Sequence, residues 1–143
     1  MDYPSLFHLA IPVTDISQTK AFYCERLGCQ AGRETPQALI LNFYGHQVVA
    51  HKTAEPLSPQ QGIYPRHFGL VFLQAEHWQQ FCDRVQAQAI PFVIAPKLRF
   101  AGEMTEHSTF FIADPFHNLL EFKFYRYPEA IFGQREFAAV GDR

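Results

Sequence analysis

A single order of local patterns, strand-helix-strand-strand-strand, occurs twice along the 143 residues, and this repeat limits the possible folds more than any other feature. In the first half, Leu6 to Val13 alternates, with Phe7, Leu9 and Ile11 on one face and His8, Ala10 and Pro12 on the other. Thr14 or Asp15 then caps a helix whose apolar stripe is Ile16, Tyr23 and Leu27, widened by Phe22, and Gly28 follows as its left-handed stop. Short strands are expected at Gln30 to Glu34, Ala38 to Phe43 and Gln47 to Lys52, with Tyr44-Gly45 as a turn. Residues 54–65 hold three prolines and a glycine and read as a linker. The order then begins again. Arg66 to Leu73 is a strand with His67, Gly69 and Val71 on one face, and Ala75 to Gln88 is a helix with Trp78, Phe81, Cys82, Val85 and Ala89 along one stripe. Phe92 to Ala95 reads as a short strand and Pro96 to His107 as irregular. Strands from Thr109 to Ala113 and from Leu119 to Tyr125 close the unit, joined by a turn that Asp114-Pro115 opens and Asn118 closes in a left-handed conformation. A unit of this size cannot close a core by itself, so the two halves are expected to pack together as one domain.

Composition supplies the core and narrows the setting. Hydrophobic residues make up 48% and charged residues 18%, and the 15 phenylalanines suit both strands and a buried core. A net charge of −2 and a pI near 6.4 give no reason to expect nucleic acid or an anionic membrane as partner. No apolar run is long enough to span a bilayer, and the N-terminal residues lack a charged-then-apolar signal pattern. Cys24, Cys29 and Cys82 are odd in number and lack zinc-type spacing, which points to free thiols in a reducing, cytoplasmic setting.

The chemistry concentrates at the strand ends. In the last strand, Leu120, Phe122 and Phe124 fall on one face, and Leu119, Glu121, Lys123 and Tyr125 on the other. A carboxylate in such apolar sequence is costly to bury unless a cation faces it, so Glu121 is either solvated or paired. His8 and His67 each precede a small residue on the same face of the first strand of their module, and His51 and Glu121 lie in the last strands. Imidazole and carboxylate are the ligand types for Fe(II), Mn, Ni, Co or Zn, and two histidines with one carboxylate leave positions open for substrate. A hydrogen-bonded core or surface histidine is the alternative at each position taken singly.

Phe7-His-Leu-Ala-Ile-Pro-Val-Thr-Asp, Ala21-Phe-Tyr with Leu27-Gly28, Arg66-His-Phe-Gly and Asp114-Pro-Phe-His-Asn-Leu-Leu-Glu-Phe together resemble the vicinal oxygen chelate superfamily. That group holds glyoxalase I, extradiol dioxygenases, fosfomycin-resistance enzymes and bleomycin-binding proteins. Phe43-Tyr-Gly-His-Gln-Val-Val-Ala-His51 and Arg99-Phe-Ala-Gly-Glu103 are most similar to its small predicted extradiol-type dioxygenases. The resemblance implies an α+β fold of two βαβββ modules, at about 5–53 and 66–125, forming a curved mixed-sheet cup with helices outside. Residues 126–143 read as a C-terminal extension. With Ile131, Phe132 and Phe137 the stretch from Tyr125 to Phe137 is too apolar for a free tail and is expected to dock on the sheet edge, the partner subunit or the cavity mouth. The resemblance also implies His8, His67 and Glu121 as ligands of a divalent metal, Fe(II) first, with Mn, Ni or Zn as alternatives. His51 stands where glyoxalase I usually has a glutamate, as a fourth ligand or a pocket residue, and a homodimer is the expected assembly.

One departure bears on the reaction. Extradiol enzymes place a tyrosine ten residues before the ligand glutamate, where this chain has Phe111. Glu103, His107 and Tyr125 are then the candidates for proton transfer, and Arg99 for orienting an anionic or phenolate group of a small-molecule substrate. Three activities stay open at this point: an extradiol-type dioxygenase, a glyoxalase-type isomerase or lyase, and a bleomycin-resistance-like binding protein without chemistry. His46, His77 and His117 read as exposed.

Overall fold

The computed structural model describes residues 2–141, so the last two positions of the expected C-terminal extension lie outside the described residues. The chain divides into two compact units. The first comprises the residues to Pro65 together with Ala113–Asn118, and the second Arg66–Ile112 together with the residues from Leu119 onward. Each contains one βαβββ module, and the α+β architecture expected from the repeat is present.

In the first unit, β1 (His8–Val13), β2 (Gln30–Glu34), β3 (Ala38–Phe43) and β4 (His46–Lys52) form a sheet of order β1-β4-β3-β2. β1 runs parallel to β4, as a helical crossover requires, and β3 and β4 form a hairpin through Tyr44-Gly45, both at positive φ. The crossover starts as α1 (Ile16–Lys20), capped by Asp15, whose Oδ1 accepts from the Gln18 N–H at 2.7 Å. It continues as a wider π-helical segment, Ala21–Arg26, which lets the adjacent Phe22 and Tyr23 both be buried with Leu27.

The second unit repeats the scheme. β5 (Phe68–Phe72), β6 (Phe92–Arg99), β7 (His107–Ala113) and β8 (Leu119–Tyr125) have the order β5-β8-β7-β6, with β5 parallel to β8. α2 (Ala75–Ala87) buries Trp78, Phe81, Cys82 and Val85. Phe81 lies 4.4 Å from Phe122 and 6.4 Å from Phe110, ring centre to ring centre, and the Trp78 indole N–H donates to the Phe122 carbonyl at 2.8 Å. This aromatic layer fills one face of the sheet and leaves the other for polar groups.

Four sequence expectations need correction. β6 runs on to Arg99 instead of ending at Ala95, and β7 begins at His107 instead of Thr109, so only residues 100–106 are irregular. Pro96 lies within a strand because β6 is the sheet edge and its register with β7 shifts between Ile94 and Lys97, where no ladder N–H is needed. Ala89 leaves the helical stripe for a positive φ just past α2, and buried Ile90 follows. His117, not Asn118, takes the left-handed position of the β7–β8 turn. After β8 a short 3-10 turn, Pro128–Ile131, buries Ala130, and Phe132 beyond it is 96% exposed.

That turn is organised by Asp114. Its carboxylate accepts from the Phe116 and Asn118 N–H groups, the Asn118 side-chain amide and the buried Tyr23 hydroxyl, all within 2.9 Å. Asn118 also donates from Nδ2 to the Pro12 carbonyl at 3.0 Å, which commits its side chain and passes the left-handed residue to His117. Burial raises the Asp114 carboxyl pKa above its ordinary value against the pull of those donors, and it holds the Tyr23 phenol well above its own. Asp114→Ala would leave several donors without an acceptor. Urea denaturation is expected to show a loss of about 2–4 kcal/mol, far above the effect of an ordinary turn substitution.

Candidate metal and substrate site

The polar face of the second sheet is built by strand alternation. Glu121 and Lys123 project from β8, Thr109 and His107 from β7, and Arg99 from β6, opposite His107 in the ladder. Glu121 is only 4% exposed, so the paired alternative left open by the sequence is the one realised. Its Oε1 lies 3.1 Å from His67 Nε2 and 3.8 Å from Lys123 Nζ. Its Oε2 accepts the Thr109 hydroxyl at 2.6 Å and lies 3.8 Å from Arg99 Nη1. The buried carboxylate thus has an imidazole, a hydroxyl and two cations around it.

Gly69 makes this approach possible. It pairs with Glu121 across the parallel β5–β8 ladder, and a Cβ there would fall 1.6 Å from the Glu121 carbonyl oxygen. His67, Gly69, Val71, Glu121 and Lys123 line a hollow of about 140 Å³ with Phe68 and Leu70. Phe111, the residue in place of the tyrosine, is fully buried and meets the His67 ring edge-on at 4.9 Å.

The other expected site residues are distributed less simply. Arg99 is not a surface loop residue but a strand residue 5% exposed. His107, expected in a loop, is 4% exposed in β7, with its ring 4.8 Å from that of Tyr125 and 5.9 Å from that of Phe100. Its Nδ1–H donates to the Thr105 carbonyl at 3.0 Å, and Nε2 is buried with no hydrogen-bond partner. Burial lowers the His107 pKa below its ordinary value. Tyr125 accepts from Lys123 Nζ at 3.3 Å. Glu103 is exposed in the loop between β6 and β7, and His46, His77 and His117 are exposed as expected.

In the first unit, His8 Nδ1 is 2.7 Å from Gln47 Oε1, in agreement with the ladder that sets His8 opposite Gln47. His51 stands opposite Pro12, four residues further along β4, or roughly 13 Å at the rise of a strand. The register therefore corrects the apparent match of His51 with Glu121. Ala10, two residues past His8, pairs with Val49, just as Gly69, two past His67, pairs with Glu121. His51 corresponds by register to Lys123. Thr109, Lys123 and the close contact of Gly69 were missed in the sequence. Period-two alternation already put Lys123 on the face of Glu121, but nothing local placed Thr109 beside them.

A divalent ion holds imidazole nitrogen and carboxylate oxygen at about 2.1 Å, so two donors at right angles stand about 3 Å apart. The His67–Glu121 separation of 3.1 Å fits such a pair. Thr109, on the other carboxylate oxygen, fits the outer contact that orients a ligand. Among the described residues, no three His, Cys, Asp or Glu side chains cluster closely enough to hold an ion.

Residues 5–122 match the family described as the Glyoxalase/Bleomycin resistance protein/Dioxygenase superfamily. A glyoxalase/bleomycin resistance protein/dioxygenase from Alicyclobacillus acidocaldarius is 37% identical, with a TM-score of 0.85 over 90% of this chain and 97% of that one. A genomically encoded fosfomycin resistance protein from Listeria monocytogenes (15% identity, TM-score 0.67, 90% and 99% covered) shares the fold. So does a lactoylglutathione lyase from Agrobacterium tumefaciens (15%, 0.67, 93% and 99%). No curated protein matches the chain. The chain belongs to the glyoxalase/bleomycin resistance/dioxygenase superfamily, the vicinal oxygen chelate group.

Two outcomes follow from this geometry. Gly69→Ala is expected to force β5 away from Glu121 and to cost about 3 kcal/mol or more, measured by thermal and urea unfolding. For His107, the folded pKa lies below the unfolded value near 6.5. Its contribution is complete above that value and declines as pH falls from there through the lowered folded pKa. Stability measured from pH 7.5 down to 5 should show this decline, and His107→Gln should flatten it.

Proposed function

We propose that this chain is a divalent-metal-dependent enzyme acting on a small molecule through two neighbouring oxygens, with a dioxygenase acting on a catechol-like substrate as the leading case. The observation that carries this reading is the His67–Glu121 pair, 3.1 Å apart and anchored by Thr109 in a chain of this superfamily. His67 and Glu121 would be two ligands and His8 the third, as the family resemblance implies; His51 would be a pocket residue. The bound ion, with Fe(II) favoured and Mn, Ni or Zn as alternatives, would draw the two substrate oxygens together and supply the charge that activates them.

The chain's own groups have separable tasks in this scheme. Thr109 fixes the carboxylate rotamer, so that Oε1 and not Oε2 faces His67. Arg99 stands 3.8 Å from Oε2 and places a cation beside the buried carboxylate. Of the three proton-transfer candidates, Tyr125 is the one joined to Glu121, through Lys123. His107 would act by position, since its Nε2 is buried, and Glu103 would lie outside the reaction. Phe111 supports a second reading, a glyoxalase-type isomerase or lyase, because a buried phenyl ring cannot move the proton that a tyrosine would. A cytoplasmic homodimer is the assembly we infer for either reaction. No helix among the described residues is long and apolar enough to cross a membrane.

The test is metal content and affinity after anaerobic loading with Fe(II), Mn, Ni and Zn. One tightly held ion per chain in the wild type is expected, with a loss of at least about a hundredfold in affinity in His67→Ala and in Glu121→Gln. Catechol-dependent oxygen uptake by the iron-loaded protein would then separate the dioxygenase from the isomerase. Equal and weak binding in all three proteins would overturn both enzymatic readings.

A further inference from the structure

The polar face of the second sheet holds more positive charge than its single carboxylate requires. Among the strand residues on this face Glu121 is the only acid, while Arg99 and Lys123 both stand 3.8 Å from it, on different oxygens. Arg99 is 4% exposed in its side chain and approaches Oε2, the oxygen that Thr109 also holds. That cation and that hydroxyl already compensate the buried carboxylate. Lys123 is different. Its side chain is 29% exposed, it lines the hollow with His67, Gly69 and Glu121, and its ammonium approaches Oε1, the oxygen that faces His67.

We infer that the ligand of this site carries a fixed anionic group besides its two chelating oxygens, and that Lys123 recognises that group. This rests on the metal reading above. Together Arg99, Lys123 and Glu121 carry one net positive charge, and a divalent ion on His67 and Glu121 would raise it to three. A vicinal diol that binds with one oxygen deprotonated removes one of these charges, and a carboxylate on the same molecule removes another. A neutral or singly charged ligand leaves an ammonium and a metal ion facing each other in a part-buried hollow, which is unfavourable. Tyr125 holds Lys123 ready for this role, because its hydroxyl accepts from Nζ at 3.3 Å and its ring centre lies 5.5 Å from the ammonium. The ligand class is therefore a small diol bearing a carboxylate, such as a carboxylated catechol.

Calorimetric titration of 3,4-dihydroxybenzoate and of catechol into zinc-loaded protein at low ionic strength tests this, with zinc content measured on every sample. In the wild type the carboxylated ligand should bind about five- to tenfold tighter. That ratio should fall toward one in Lys123→Met and persist in Lys123→Arg, and added salt should reduce it in the wild type. Equal affinities for the two ligands in zinc-loaded wild type, or a ratio unchanged in Lys123→Met, would overturn the inference. If no zinc is held, the metal reading fails separately, and the same titrations on ion-free protein decide. Weaker binding of the carboxylate in Lys123→Met then sustains the anion site, and no difference removes it.

Discussion

A carboxylate that is 4% exposed in the middle of a sheet sets the terms for the second unit. Burial of Glu121 is tolerable only because each of its oxygens meets a donor or a cation: His67 from just before β5, Arg99 from β6, Thr109 from β7 and Lys123 from β8 itself. β5 has to come close enough for His67 to reach Oε1, which requires glycine at position 69. β7 has to present Thr109 and not an apolar side chain. β6 has to continue past Pro96 to deliver Arg99. The chemistry of the site and the geometry of the sheet are one problem, and the aromatic layer on the opposite face makes the solution rigid.

The first unit depends on a second buried carboxylate used in the opposite way. Asp114 serves no exposed chemistry; it collects donors from its own turn and from Tyr23, and so ties the segment between β7 and β8 to the residues of the first module. Where Glu121 is balanced by charge, Asp114 is balanced by neutral donors alone, and the distinction is physically meaningful. A carboxylate saturated by hydroxyl and amide donors is committed to structure.

Much of this was legible in the residues. Element type and order follow from local periodicity and turn chemistry: β2, β3 and β8 begin and end where alternation predicts, and Asp15 and Gly28 bound the first helix. The histidine and the glycine of Arg66-His-Phe-Gly, and the glutamate of Leu119-Leu-Glu121, could be singled out because a charged or small residue interrupts an apolar alternation. Where expectation failed, at Ala95, Ala89 and Asn118, the outcome turned on an edge strand, a helix stop or a side chain already committed elsewhere.

The sequence by itself determined that the chain repeats a βαβββ order, that each repeat has an apolar face, and that histidines and a glutamate occupy the opposite one. These are properties of neighbours along the chain, and period and turn preference are enough to reveal them. Register was decided only in three dimensions. Read along the chain, His51 and Glu121 look like counterparts; in the ladders, Val49 is the counterpart of Glu121, and His51 is the counterpart of Lys123. Backbone pairing between strands far apart in sequence sets that alignment. A shift of two residues keeps every side chain on its own face, so the alternation pattern cannot reveal it.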